Sequence, residues 1–186
     1  HYHDSGQYEK ELAKKIKEAQ AYIISQADYY QGRKSHKQLA LVLDIDETSL
    51  SNYNKISQRD FGASYEEIHK EIMAADAPAI KPMLDLYNHA LKHHIKVFFV
   101  TGRTDLELQA TKTNLSKAGY SKWSGIYVRP TGYKKDSIIP FKSHARAKIA
   151  QQGYIILASI GDQNSDILGG YAKKGFKLPN PFYYIR

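Results

Sequence analysis

Cysteine is absent from the 186 residues, which excludes disulfides, thiolate zinc sites, cysteine nucleophiles and a lipidated N-terminal cysteine, and leaves the compartment open. No stretch approaches the ~18 unbroken apolar residues expected of a membrane span, and no basic-then-apolar leader stands at the start. Acidic residues are outnumbered: 19 Asp and Glu face 27 Lys and Arg, a net charge of +8. Such an excess favours nucleic acid, an anionic surface or phosphorylated small molecules. The basic residues are scattered through KKIKE, KHHIK, TKTNLSK and GYKKD rather than blocked. Scatter of this kind is the pattern of a solvated face that attracts anions in general, and it argues against nucleic acid as a dedicated partner. Internal repeats and low-complexity tracts are missing as well, and the length suits one compact domain, residues 1–186.

What is present alternates. Tyr8, Leu12, Ile16, Ala19, Ile23, Ala27 and Tyr30 recur at three- and four-residue steps, one stripe of an amphipathic N-terminal helix. After the linker QGRKSHK, the apolar run QLALVLDID reads as a buried first strand. Ser64 with Glu67 forms a capping box for a helix running to about Ala75, and Pro82 suits the first turn of a second helix, MLDLYNHALKHH. IKVFFV is then a second strand. Thr104 with Glu107 caps a further helix that stops near Gly119, followed by a third strand GIYV, a helix SHARAKIAQQG ending at Gly153, and a fourth strand YIILASI. Strand-helix alternation predicts an α/β fold with a parallel sheet, because parallel neighbours need crossovers. In such sheets ligands bind beyond the carboxyl ends of the strands.

The chemistry-bearing residues fall at those ends. Asp44 and Asp46 in LVLDIDETSLSNY, spaced one apart, would share a face on a continuing strand, so one site could see both. Taken alone, a DxDxT is weak evidence, and turn or cap acids explain it. At the second exit Thr101 offers a hydroxyl, Gly102 an unobstructed N–H and Arg103 a guanidinium just before a helix N-terminus, a phosphate cradle in outline. At the fourth exit GDQNSD supplies Asp162 and Asp166, and a divalent cation preferring oxygen ligands could sit between Asp44 and Asp162. Lys142 adds a point charge at a helix start. Thr101 and Thr104 as simple caps, Lys142 as a surface lysine and Asp166 as an N-cap are the plain alternatives. They leave the joint occurrence at successive exits unexplained. His93 and His94 fit a surface helix end. Asn114-Leu115-Ser116, though a glycosylation triplet, falls inside a helix.

With these residues in view, the sequence resembles the haloacid dehalogenase superfamily, and within it the acid phosphatases of classes B and C with the plant vegetative storage proteins. DIDETSLSN, VFFVTGR, FKSHAR and IGDQNSD stand for that family's four motifs in order, and GYAKKGFKLPNPFYYI is similar to its ending. The resemblance implies a Rossmann-like core with strand order 5-4-1-2-3, GFKL supplying the fifth strand. It implies Asp44 as nucleophile, forming an aspartyl-phosphate, and Asp46 as the acid that protonates the leaving alcohol and later activates water. Thr101 and Lys142 would hold phosphoryl oxygens, with Lys134, Lys135 and Lys148 as fallbacks. Mg²⁺ would be bound by Asp44, the Asp46 carbonyl and Asp162, supported by Asp166.

The expected function is therefore Mg²⁺-dependent hydrolysis of phosphate monoesters by a secreted or periplasmic protein whose leader has been removed. A storage or binding protein that keeps the fold without useful turnover, and a nucleic-acid-binding domain, are the rivals, and homo-oligomerisation is open. The roughly fifty residues between the first two strands exceed a crossover, so residues 51–80 are expected to form a small helical cap. Its Tyr53, Phe61 and Tyr65 could stack on a nucleotide or aryl leaving group, with Tyr53, seven positions past Asp46, the leading candidate.

Overall fold

The computed structural model describes residues 2–33 and 37–186. Helix α1 (Gln7–Gly32) buries the predicted stripe from Tyr8 to Ala27. The helix takes in the first two residues of the expected linker, and residues 34–36 of that linker lie outside the described set. Strand β1 (Gln38–Leu43) follows. Its side chains alternate faces. Leu39, Leu41 and Leu43 join the core under α1, whereas Ala40 and Val42 join a second core on the opposite face.

Where two helices are expected before the second strand there are three: α2 (Tyr53–Gln58), α3 (Tyr65–Met73) and α4 (Lys81–Lys92). α2 spans only six residues, YNKISQ, too short for an apolar period to show. The Ser64–Glu67 capping box forms as read, the Glu67 N–H donating to Ser64 Oγ (3.2 Å) and the Ser64 N–H to Glu67 Oε2 (3.0 Å). α4 packs beside α1, and Gln31 Nε2 donates to the His93 carbonyl at 2.7 Å where the two helices end.

Strand β2 (Lys96–Thr104) outruns the expected IKVFFV and carries the Thr-Gly-Arg segment as its own last turn of extended chain. A 3₁₀ turn capped by Thr104 and Glu107 leads into α5 (Leu108–Ala118), which stops at Gly119 with φ 106°. β3 (Gly125–Arg129), α6 (Ile139–Gln151), β4 (Tyr154–Gly161) and β5 (Gly175–Lys177) complete the chain order. The five strands are parallel in the order β3-β2-β1-β4-β5, as the family resemblance implies.

Candidate active site

β1 and β4 are neighbours, with Leu43 in register with Ile160, and the ladder runs one bond further as the Asp44 N–H donates to the Ile160 carbonyl at 3.0 Å. Two strand exits are thereby set side by side, and their acids meet. Carboxylate oxygens of Asp44, Asp162 and Asp166 all lie within 4.8 Å of one another, and all three residues are buried. Lys142, in the first turns of α6, reaches into this group: Nζ donates to Asp44 Oδ1 at 3.1 Å and also to Asp166 Oδ1. It is 4% exposed, so the surface-lysine alternative is excluded.

The charges explain one another. Asp162 is pushed well above the ordinary carboxylate range, first by burial and then by the adjacent charge and hydrogen bonding of Asp44. Asp166 is raised to about 6 by burial and the charge of Asp44, with Lys142 opposing. For Lys142 burial disfavours the ammonium, but the charges of Asp166 and Asp44 outweigh it and raise its pKa. One ammonium among three buried carboxylates leaves negative charge in excess. A hard divalent cation accepts such an all-oxygen donor set, and its charge would relieve the shifts.

Asp46 lies apart from this cluster. β1 ends at Leu43, and the chain turns so that the Ile45 carbonyl accepts N–H groups from Thr48, Ser49 and Leu50 at 3.2, 2.9 and 2.9 Å. Glu47 takes a left-handed φ of 57° in that turn. The two acids are therefore not carried on a continuing strand. Asp46 is gripped by Arg103, whose Nη2 donates to Oδ1 at 2.7 Å and whose Nε donates to Oδ2 at 3.1 Å, while Asn52 Nδ2 donates to Oδ1 at 2.8 Å. Burial pushes its carboxyl up, but the charge and hydrogen bonds of Arg103, with Asn52 and Lys142, outweigh that and hold it below the usual range. Thr101 is fully buried, its Oγ1 accepting the Arg103 N–H at 3.1 Å.

Several supports, most of them inside the quoted motifs, make contacts that their spacing does not announce. Thr48 Oγ1 lies 3.3 Å from Asp44 Oδ2 and 3.1 Å from Asp162 Oδ1, its one proton serving either. Asn180 Nδ2 and Gln163 Nε2 donate to Asp162 Oδ2 at 2.7 and 2.8 Å. Arg146, 1% exposed, donates to the carbonyls of Ser165 and Asp166 (3.3 Å each), Gly170 (3.0 Å) and Leu168, fixing the loop that bears Asp166. Gly161 is required here, since a Cβ would stand 2.1 Å from Asp166 Cγ. Glu47, bonded by the Asn52 N–H (2.8 Å) and the Tyr183 hydroxyl, is raised to about 7 by burial and then by the charge of Asp46.

Above these groups opens a cavity of about 460 Å³. Asp44, Asp46, Gly102, Arg103, Lys142 and Asp162 line its floor, and Phe61, Tyr65, Phe182 and Tyr184 its sides. Tyr53 is elsewhere. Its ring stacks on His3 (centroids 3.4 Å apart, 11° between planes) and its hydroxyl donates to Asp4 at 2.9 Å, so it does not border the cavity. α2 turns Tyr53 toward the N-terminal residues, and closeness to Asp46 along the chain does not become closeness in space.

A family model described as HAD superfamily, subfamily IIIB (acid phosphatase), matches residues 1–186. The chain belongs to that family. Among its relatives this acid phosphatase family member is 36% identical over 148 residues to "Acid phosphatase 1" of Solanum lycopersicum, covering 77% of this chain and 58% of the relative. It is 34% identical over 174 residues to "Stem 28 kDa glycoprotein" of Glycine max, covering 88% and 67%. The chain thus spans roughly three-fifths to two-thirds of the length of these relatives. Its fold is similar to that of the class C acid phosphatase from Bacillus anthracis, with a TM-score of 0.78 at 20% identity over 98% of this chain and 82% of that one. No helix among the described residues is long and apolar enough to cross a membrane.

Proposed function

We propose that this protein hydrolyses phosphate monoesters through an aspartyl-phosphate on Asp44, with Mg²⁺ as cofactor. The observation that carries the reading is the buried Asp44–Asp162–Asp166 cluster countered by Lys142 at the floor of an open cavity. Monoesters hydrolyse so slowly that their enzymes supply accelerations of up to about 10²¹-fold, beyond the reach of one group. An Asp44 oxygen attacks phosphorus, the P–O bond to the alcohol breaks, and Asp46 gives its proton to the departing oxygen. Water, losing a proton to Asp46, then attacks phosphorus, and inorganic phosphate leaves with Asp44 restored. Lys142, with the Thr101 hydroxyl, the Gly102 N–H and Arg103 as further donors, holds the phosphoryl oxygens. A divalent cation on Asp44, Asp162, the Asp46 carbonyl and Asp166 would supply Lewis-acid charge neutralisation.

Arg103 bears on Asp46 too. Because it holds the carboxyl ionised, Asp46 is poised as the base for water and must gain a proton before it serves as acid. Asp46→Asn is therefore expected to cost an alkyl phosphate, whose leaving oxygen needs the proton, at least about tenfold more than p-nitrophenyl phosphate. Equal losses for the two, read as kcat/KM, would remove Asp46 from the acid role.

Residues 51–80 act as a cap, and stacking on nucleotide or aryl leaving groups falls to Phe61 and Tyr65 rather than Tyr53, a reading supported by which rings border the cavity. Export is supported by the likeness to "Stem 28 kDa glycoprotein" of Glycine max, since glycoproteins are made on the secretory route. The direct experiment is turnover of p-nitrophenyl phosphate. Turnover that EDTA abolishes and Mg²⁺ restores is expected. No turnover under any metal would leave the storage or binding role.

A further inference from the structure

Arg129 ends β3 and borders the cavity. The other cations there each have a carboxylate partner: Arg59 has Glu71 at 2.9 Å, Arg103 has Asp46, and Lys142 has Asp44 and Asp166. Arg129 pairs with no carboxylate among the described residues, and its Nε–H is shut from solvent with no acceptor. Nearby acids are engaged elsewhere. Asp105 accepts the Thr131 N–H at 3.1 Å and the Thr131 hydroxyl, and Glu107 accepts the Thr104 N–H at 2.8 Å with His69 Nδ1 2.9 Å away on its other oxygen. A guanidinium is shaped to take a carboxylate or phosphate in two parallel bonds, and Arg129, at the cavity with no carboxylate of the described residues paired to it, is left to take one from a ligand.

Its place in the sheet says which part of a substrate supplies it. β3 is two strands from β1, about 10 Å at the usual strand spacing, so the backbone of Arg129 leaves the sheet well to one side of Asp44. We propose that Arg129 is a specificity-determining residue for monoesters whose leaving group carries a second anionic group, a carboxylate or a phosphate, held to one side of the phosphorus. The assignment rests on the phosphatase reading above.

The test uses three substrates sharing one ring: phenyl phosphate, 4-carboxyphenyl phosphate and 1,4-phenylene bisphosphate. In Arg129→Gln the preference for either dianionic-ended substrate over phenyl phosphate, as a ratio of kcat/KM, is expected to fall about tenfold or more, through KM, and Arg129→Lys to recover part of it. The arm with the larger fall identifies carboxylate or phosphate as the better ligand. The same ratio measured as calorimetric Kd in an Asp44→Asn background reads Arg129 without turnover, so failure of the phosphatase reading leaves this test intact. An unchanged ratio in both assays, or equal losses for all three substrates, would overturn the proposal and assign Arg129 to the phosphoryl site or to the fold.

Discussion

Asp44→Asn is expected to lower kcat for p-nitrophenyl phosphate by at least about 10⁴-fold, roughly 5 kcal/mol of barrier, while the protein stays folded. Asparagine keeps the shape of the side chain but offers no anionic oxygen to attack phosphorus. Loss of activity through unfolding is not expected. The substitution removes one of three mutually repelling carboxylates, two of which already sit above their ordinary pKa range, so the variant should melt at or above the parent temperature. Circular dichroism melts alongside kcat check both halves. Residual activity near the parent level would take the nucleophile's role from Asp44.

Lys142→Met should be costly to both stability and turnover. Methionine fills a similar volume yet leaves Asp44 and Asp166 buried and facing each other with the ammonium gone. Breaking a buried ion pair from one side costs about 3–5 kcal/mol, a fall in Tm of roughly 6–20 °C for a chain of this size. Loss of one donor to the transferring group costs kcat about 10²–10³-fold. Added Mg²⁺ is expected to recover part of the Tm, because a cation on the same carboxylates replaces the missing charge, but little of the kcat. A variant with parent Tm and parent kcat would show that Lys142 is not the counter-charge of the site.

Much of the fold is local and therefore legible. The α1 stripe repeats over more than five turns, both capping boxes lie within four residues, and Gly119 and Gly153 stop their helices with φ of 106° and 97°. The strand order was implied by family resemblance, not by any periodicity. What stayed hidden depends on contacts between distant residues. Asn180 reaches Asp162, Thr48 bridges Asp44 and Asp162, and Arg146 collects the carbonyls of the 165–170 loop, and no spacing announces such partners. Arg103 was legible as a cation at the right exit, but its grip on Asp46 depends on where the chain goes after Leu43. The place of the Tyr53 ring, against His3 and away from the cavity lining, is hidden for the same reason, since a six-residue helix decides its direction.

The covalent step at Asp44 is tested most directly by acid-quench trapping in Asp46→Asn. With the base for water removed, the aspartyl-phosphate should form and persist. Mixing this variant with an aryl phosphate labelled on phosphorus, quenching in acid and mapping the label by peptide mass spectrometry should place it on Asp44, with a burst of phenol equal to the enzyme present. A burst without label on the Asp44 peptide, or label on any other side chain, would contradict the account.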